Sequence, residues 1–353
     1  MSISSRTPIK LALLSAGLFG ISMPLAKLLV GEMPPVMLAA LLYLGSGAGL
    51  AVVLLVQRMR RPPGARVIVP HGQDWLWLLG AILAGGCAAP ILLAYGLLSS
   101  PASAVALLLT LEGVFTALLA WFVFKENFDR GIVIGMALTV AGSAVLVLDL
   151  ENAGVTGGLV LVVVACAAWA LDNNLTRKVS ASDAILTACL KGLAAGTVNL
   201  ALAFTFSSAP PVPAVALFGA LAVGFLGYGV SLVLFVLALR ELGAARTGAY
   251  FSCAPFFGAI IGALLLREPL GASFAVGAIL MLLGVWLHVR ERHEHEHTHE
   301  ALMHEHRHVH DEHHRHGHPD GTADKPHSHL HRHEVLTHRH PHYPDIHHQH
   351  THP

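Results

Sequence analysis

Ten apolar runs, each close to the length needed to cross a bilayer, occupy the first 290 positions, and they constrain this chain more than any other feature. They are Ile9–Val30, Val36–Val56, Trp75–Leu98, Pro101–Phe124 and Gly131–Asp149, then Gly157–Thr176, Ala184–Phe206, Ala214–Leu239, Ala244–Leu266 and Gly271–Val289. In hydrocarbon every backbone N–H and C=O has to be satisfied without water, so only helices and closed barrels span. Barrel strands need about half this length, so the runs read as helices. The composition agrees: 54% of residues are hydrophobic and 12% charged, against about 25% charged in a soluble domain. Lys+Arg and Asp+Glu balance at 22 each, so the basic footprint of a nucleic-acid-binding protein is absent. The run after Arg6 and Lys10 carries no A-x-A cleavage site and is long enough to span, so it reads as the first helix, not a removed signal.

Charge sets the expected orientation. With the N-terminus in the cytoplasm, inside segments carry Arg6, Lys10, Arg58, Arg60, Arg61, Arg66, Lys125, Arg130, Arg177, Lys178, Arg240, Arg246, Arg290 and Arg292, and outside segments carry Arg267. Fourteen against one is a strong positive-inside signal, and ten spans return the C-terminus to the cytoplasm. The expectation is a multi-pass protein of a bacterial-type inner (plasma) membrane, both termini cytoplasmic, with the lipid bilayer as its surroundings.

The chain repeats internally. At a constant offset of 142, Gly135 falls on Gly277, Gly142 on Gly284, Lys125-Glu126 on Arg267-Glu268 and Gly85 on Gly227. For the first helix of each half the offset is 150, so that Phe19-Gly20 meets Trp169-Ala170 and Lys27 meets Arg177. Residues 9–150 and 157–290 thus form two five-helix repeats, and an odd number of spans inserts them in opposite senses. Inverted repeats are a signature of secondary transporters, whose substrate site lies at the repeat interface near mid-membrane. The fold class expected is an all-α membrane protein of ten transmembrane helices in two inverted five-helix repeats, followed by a disordered tail over 291–353.

Leu111-Glu112-Gly113-Val114-Phe115 through Phe124-Lys125-Glu126, and Ala254-Pro255-Phe256-Phe257 through Leu266-Arg267-Glu268, are each followed by a Gly-spaced helix. In this pattern the chain resembles the EamA family of the drug/metabolite transporter superfamily over roughly residues 9–290. The resemblance implies an inner-membrane exporter of amino acids, other metabolites or drugs, several members of that family using proton antiport. The first half has Gly113 where the family commonly carries proline, kept in the second half as Pro255; either residue weakens a helix, so both are candidate hinges.

Few polar residues lie inside the runs. Glu112 is 11 residues after Pro101 and 12 before Phe124. An ionised carboxylate at mid-membrane is costly, so Glu112 reads either as a proton carrier facing the bundle interior or as a structural carboxyl bonded to a neighbouring helix. Leu108 and Thr116 share its face, and offset 142 carries Leu108 to Tyr250, a candidate cavity residue or a core aromatic. Asp172, Asn173 and Asn174 lie near the cytoplasmic end of span six, and Lys191 at similar depth in span seven. An Asp172–Lys191 pair would serve as a structural ion pair or an inner gate. Trp169 and Phe19, matched by the repeat, line the cavity or simply pack; Lys27 reads as snorkelling to the outer surface.

Enzyme motifs are absent. No Walker loop, H-E-x-x-H helix or Ser/His/Asp set in an enzyme context occurs, and the four cysteines (Cys87, Cys166, Cys189, Cys253) form no CxxC and read as packing residues. No cofactor is needed. The tail is another matter: of 25 histidines, 23 fall between His293 and His352, many at alternate positions. These include His293, His295, His297 and His299; His304, His306, His308 and His310; His327, His329, His331 and His333. Imidazole binds Zn, Ni, Co or Cu well, so a divalent metal is a candidate ligand of the tail. Two functions follow: export of a small organic, amino acid-like or drug-like substrate by alternating access, with the proton coupling that the resemblance implies for several members, or movement of a divalent transition metal supplied or regulated by the tail.

Overall fold

The computed structural model describes residues 6–60, 69–124, 130–152, 156–179, 182–206, 212–235, 237–238 and 250–290, together with 294–299, 303–308, 327–332 and 336–341. The chain divides into two compact units, Met1–Glu291 and Arg292–Pro353.

The first unit is helical. Seven described helices are long and apolar enough to cross a membrane: Pro8–Val30, Pro35–Arg60, Asp74–Ser99, Ala102–Val123, Gly157–Thr176, Ile185–Thr205 and Ala214–Phe235. Three shorter apolar helices, Val133–Leu148, Ala254–Leu266 and Ala272–Leu287, occupy the remaining three runs. Span two lies along span seven, span five along span ten, and span four against span nine. Span one meets spans eight and nine, just as span six meets spans three and four. Spans two and seven approach closely enough that a Cβ on Gly192 would sit 2.7 Å from the Cα of Gly47, so small residues set this contact. Large apolar side chains face outward, among them Val215 (86% exposed), Leu264 (76%) and Phe122 (71%), the surface that hydrocarbon covers in a bilayer.

Among the described residues, four spans depart from uninterrupted α-helix. Spans three and eight each contain a π-helical segment, Ile82–Ala88 and Gly224–Val230, related at both ends by the offset of 142. The Ala89 N–H bonds the Ala84 carbonyl and, in register, the Ser231 N–H bonds that of Leu226. Span four is broken at Leu109 between the helices Ala102–Leu108 and Thr110–Phe124. Span nine has its counterpart at Ser252–Cys253, after which Ala254–Leu266 begins with Pro255 in its first turn. Gly113 lies four residues beyond the break in span four, inside regular helix, where an added Cβ would meet nothing within 4 Å.

In the second unit four short segments are described. β1 (Glu294–His299) pairs antiparallel with β4 (Leu336–Pro341), and β2 (Met303–His308) with β3 (His327–Arg332). His293, His310 and His333 lie outside the described residues.

Candidate functional site: a polar seam at the break in span four

The break in span four is where the backbone opens for chemistry. The Glu112 N–H, the usual α-helical partner of the Leu108 carbonyl, bonds Leu109 instead (3.1 Å). The Leu108 carbonyl accepts the Cys166 thiol of span six at 3.5 Å, and the Thr110 hydroxyl bonds back to Leu107 (2.8 Å). Polar side chains continue down the same seam. Asn173 Nδ2 donates to Glu112 Oε1 (2.8 Å) and to Thr116 Oγ1 (3.4 Å), and Asn174 Nδ2 to the Thr116 carbonyl (3.3 Å). Leu108, Glu112 and Thr116, four residues apart, thus share the face that meets span six. Glu112 is half-buried and Asn173 exposed.

Immediately before Asn173 on span six, Asp172 is buried and paired with Lys191 of span seven: Nζ lies 2.5 Å from Oδ1, with the side chains 16% and 8% exposed for Lys191 and Asp172. Thr176 Oγ1 donates to Asp172 (2.8 Å) and accepts from Lys191 (3.0 Å), so the pair is hydrogen-bonded as well as charged. Both partners lie within electrostatic reach of Glu112.

The π segment of span three forms an adjoining wall. The Ala89 N–H serves Ala84, and Pro90 has no N–H, so the carbonyl of Gly85 has neither an α nor a π partner. Tyr43 OH and Trp169 Nε1 donate to it, at 2.6 and 3.0 Å. Gly85 also has to lack a side chain, since a Cβ there would collide with the Asp172 carboxylate. In the second half, Tyr228 of the matching π segment packs edge-on to Phe19 (5.8 Å between centroids) and beside Tyr43 (5.7 Å). Its hydroxyl is buried without a hydrogen-bond partner among the described residues.

Glu112, Asn173, Asp172 and Lys191 therefore come together, and Trp169 reaches them through Gly85. Tyr250 stands at the break in span nine, its carbonyl bonded by the Cys253 N–H (3.3 Å); among the described residues no hydrogen bond links it to the seam. Sequence reasoning passed over Tyr43, Tyr228 and Thr176; polar residues on apolar helices, they carry the same signal that singled out Glu112. Glu268, marked in the sequence by the repeat and the family pattern alone, also makes a contact that the sequence did not indicate. The residue before it, Arg267, takes a left-handed conformation (φ 52°), and Glu268 turns to accept the Ala102 and Ser103 N–H groups (2.6 and 2.9 Å) at the start of span four. Lys27 does not simply snorkel: its Nζ donates to the carbonyls of Leu97, Leu98 and Ser100 at the end of span three.

Comparison with known proteins accords with this architecture. The model of the EamA-like transporter family matches twice, over residues 6–148 and 156–290. An uncharacterized transporter of Methanothermobacter thermautotrophicus is 31% identical over 284 residues, 76% of this chain and 82% of that protein. The uncharacterized transporter YyaM of Bacillus subtilis is 25% identical over 192 residues, 51% of this chain and 62% of that protein. A solved crystal structure of a protein shares the fold, with a TM-score of 0.60 at 18% identity, over 80% of this chain and 96% of that one. With a double family match along its membrane unit, this chain belongs to the EamA-like transporter family: it is a multi-pass membrane transporter, not an enzyme.

Proposed function

We propose that the membrane unit exports a small organic solute, amino acid-like or drug-like, by proton-coupled alternating access, from a plasma membrane in which both termini face the cytoplasm. The observation that carries this reading is Glu112: a half-buried carboxyl beside a mid-membrane helix break, held by a neutral amide donor. Interrupted helices are where transporters of this architecture bind their cargo. Asn173 can donate to one carboxyl oxygen whether or not the other carries a proton, so Glu112 exchanges a proton without losing its partner. The Asp172–Lys191 pair presents both signs of charge beside it, which suits a zwitterionic solute. The unpartnered Tyr228 hydroxyl and the aromatic rings of Tyr43 and Phe19 add one polar point to an otherwise apolar wall. The metal-transport reading gains nothing equivalent: among the described residues no three His, Cys, Asp or Glu side chains converge.

The test uses purified full-length protein in proteoliposomes with an interior pH dye. Amino acids, a drug panel and Zn²⁺ are added in turn against an imposed pH gradient. Solute-dependent proton movement is expected for an organic solute, and Glu112→Gln should abolish it while solute binding remains. Wild-type proton movement in Glu112→Gln, at equal incorporation, would remove Glu112 from the coupling step. Metal flux without organic flux in the wild type would overturn the proposal.

A further inference from the structure

Ala102–Leu108, the half of span four before the break, is buried on every side: none of its residues is more than 2% exposed. A helix with one face to lipid would show an exposed stripe, so this half-helix lies inside the bundle. Small residues seal it against spans one and nine. A Cβ on Gly258 of span nine would meet the Gly20 carbonyl of span one at 2.8 Å and the Ala106 side chain at 3.0 Å, and one on Gly262 would meet the Ser103 nitrogen at 3.2 Å. Past the break this cover is lost: Glu112 is half-buried, and Gly113 and Asn173 are exposed. Exposed polar groups at mid-membrane need water. The route to Glu112 therefore opens away from Ala102–Leu108, and that half-helix plugs the other way.

Two other spans hold the tip of this plug. Glu268, at the end of span nine, accepts the Ala102 and Ser103 N–H groups (2.6 and 2.9 Å). Lys27 of span one donates to the carbonyls of Leu97, Leu98 (3.4 Å) and Ser100 (2.9 Å) just before it. These are backbone groups that helix ends leave without intrahelical partners, and every one of the bonds carries a charge. Lys27 and Glu268 are themselves half-buried, so each is hydrated on release at less cost than the 8%-exposed Asp172 would be. Ser100 Oγ, in a residue 2% exposed, has no hydrogen-bond partner among the described residues while the loop is held. Opening hydrates it, which offsets part of what the broken bonds cost. We propose that Lys27 and Glu268 form the latch of a gate: they hold Ala102–Leu108 across one side of the transport path, and their release lets the half-helix swing about the break at Leu109. The latch rests on the alternating access proposed above, but not on the solute or on proton coupling.

A native thiol reports the gate. Cys166 Sγ of span six is buried against the Leu108 carbonyl at the foot of the plug (3.5 Å), so a swing of Ala102–Leu108 uncovers it. Full-length protein carrying Cys87→Ala, Cys189→Ala and Cys253→Ala keeps Cys166 as its single cysteine. Oriented membrane vesicles are treated with a membrane-impermeant cationic methanethiosulfonate on one face at a time. From the face that carries loop 99–101, labelling should be slow in this background. It should be about 10-fold or more faster in Lys27→Met and in Glu268→Gln, the effect of losing one charge-assisted hydrogen bond. Glu268→Gln keeps a carbonyl oxygen for the same N–H groups and so preserves part of the cap. From the opposite face neither substitution should speed labelling, whereas a loosened fold would be labelled faster from both. An unchanged rate from the first face in either variant, or a rise from both faces, would overturn the latch. Labelling reads access alone. The expected pattern without solute-driven proton movement would refute the proposed coupling and leave the latch standing, and intact coupling without the pattern would do the reverse.

Discussion

Breaking the Asp172–Lys191 pair one side at a time should be far more damaging than removing it whole. Asp172→Leu leaves the Lys191 ammonium, 16% exposed, with the Thr176 hydroxyl as its remaining partner; Lys191→Met leaves the Asp172 carboxylate, 8% exposed, in the same position. An uncompensated charge at such depth costs about 3–5 kcal/mol, whereas replacing the pair by neutral groups of similar volume is often close to neutral. Each single variant should therefore lose about 3 kcal/mol or more, and the double variant roughly 0–2 kcal/mol, giving a coupling of at least about 4 kcal/mol. The measurement is reversible unfolding from mild detergent into SDS, followed by tryptophan fluorescence, on wild type, both singles and the double. Additive losses, or single losses below about 1 kcal/mol, would show that the charges are solvated and that the burial argument is wrong. Transport by the double variant then decides the role: a structural pair leaves the rate near wild type, and a gate does not.

Glu268→Ala removes the acceptor of two N–H groups at a helix start and should cost about 2–3 kcal/mol in the same unfolding assay, with Glu268→Gln losing about half; a loss under about 0.5 kcal/mol refutes the cap. Gly192→Val drives a side chain into Gly47 and should cost at least about 2 kcal/mol, while Gly113→Ala, in open space, should gain up to about 1 kcal/mol; a fall in transport with that gain would show that Gly113 serves flexibility. Reporter fusions after Ser208 and after Val289 should read outside and inside respectively, and any other pair overturns the inverted-repeat topology.

What could be read from the sequence follows from what the bilayer enforces. Apolar runs of spanning length have one regular solution, so the helices are legible without a structure. Asp172 and Lys191 are readable as neighbours because charges at the same depth in adjacent spans have few other partners. Local backbone departures are not readable in this way. The π segments at Ile82 and Gly224 and the break at Leu109 lie in runs of Leu, Ala, Val and Gly whose pattern is that of plain helix. Only Pro90, which lacks an N–H, hints that nearby carbonyls need partners elsewhere. The cap by Glu268 is long-range, 165 residues from Ser103, and depends on a left-handed Arg267 that no local signal marks. In the tail the alternation of histidine was visible, but alternation alone does not say which segments pair.

The wide turns in spans three and eight also set the aim of everything beyond them. A π turn holds one residue more than the α turn it replaces, and one residue rotates everything downstream by about 100°. Removing one residue from Ile82–Ala88 would therefore swing Ala89–Ser99 by about 100° and carry Leu93 and Leu97, now buried, away from the neighbours they pack against. Each wide turn thus acts as a fixed rotation between the two halves of one span, at Ile82–Ala88 in span three and at Gly224–Val230 in span eight.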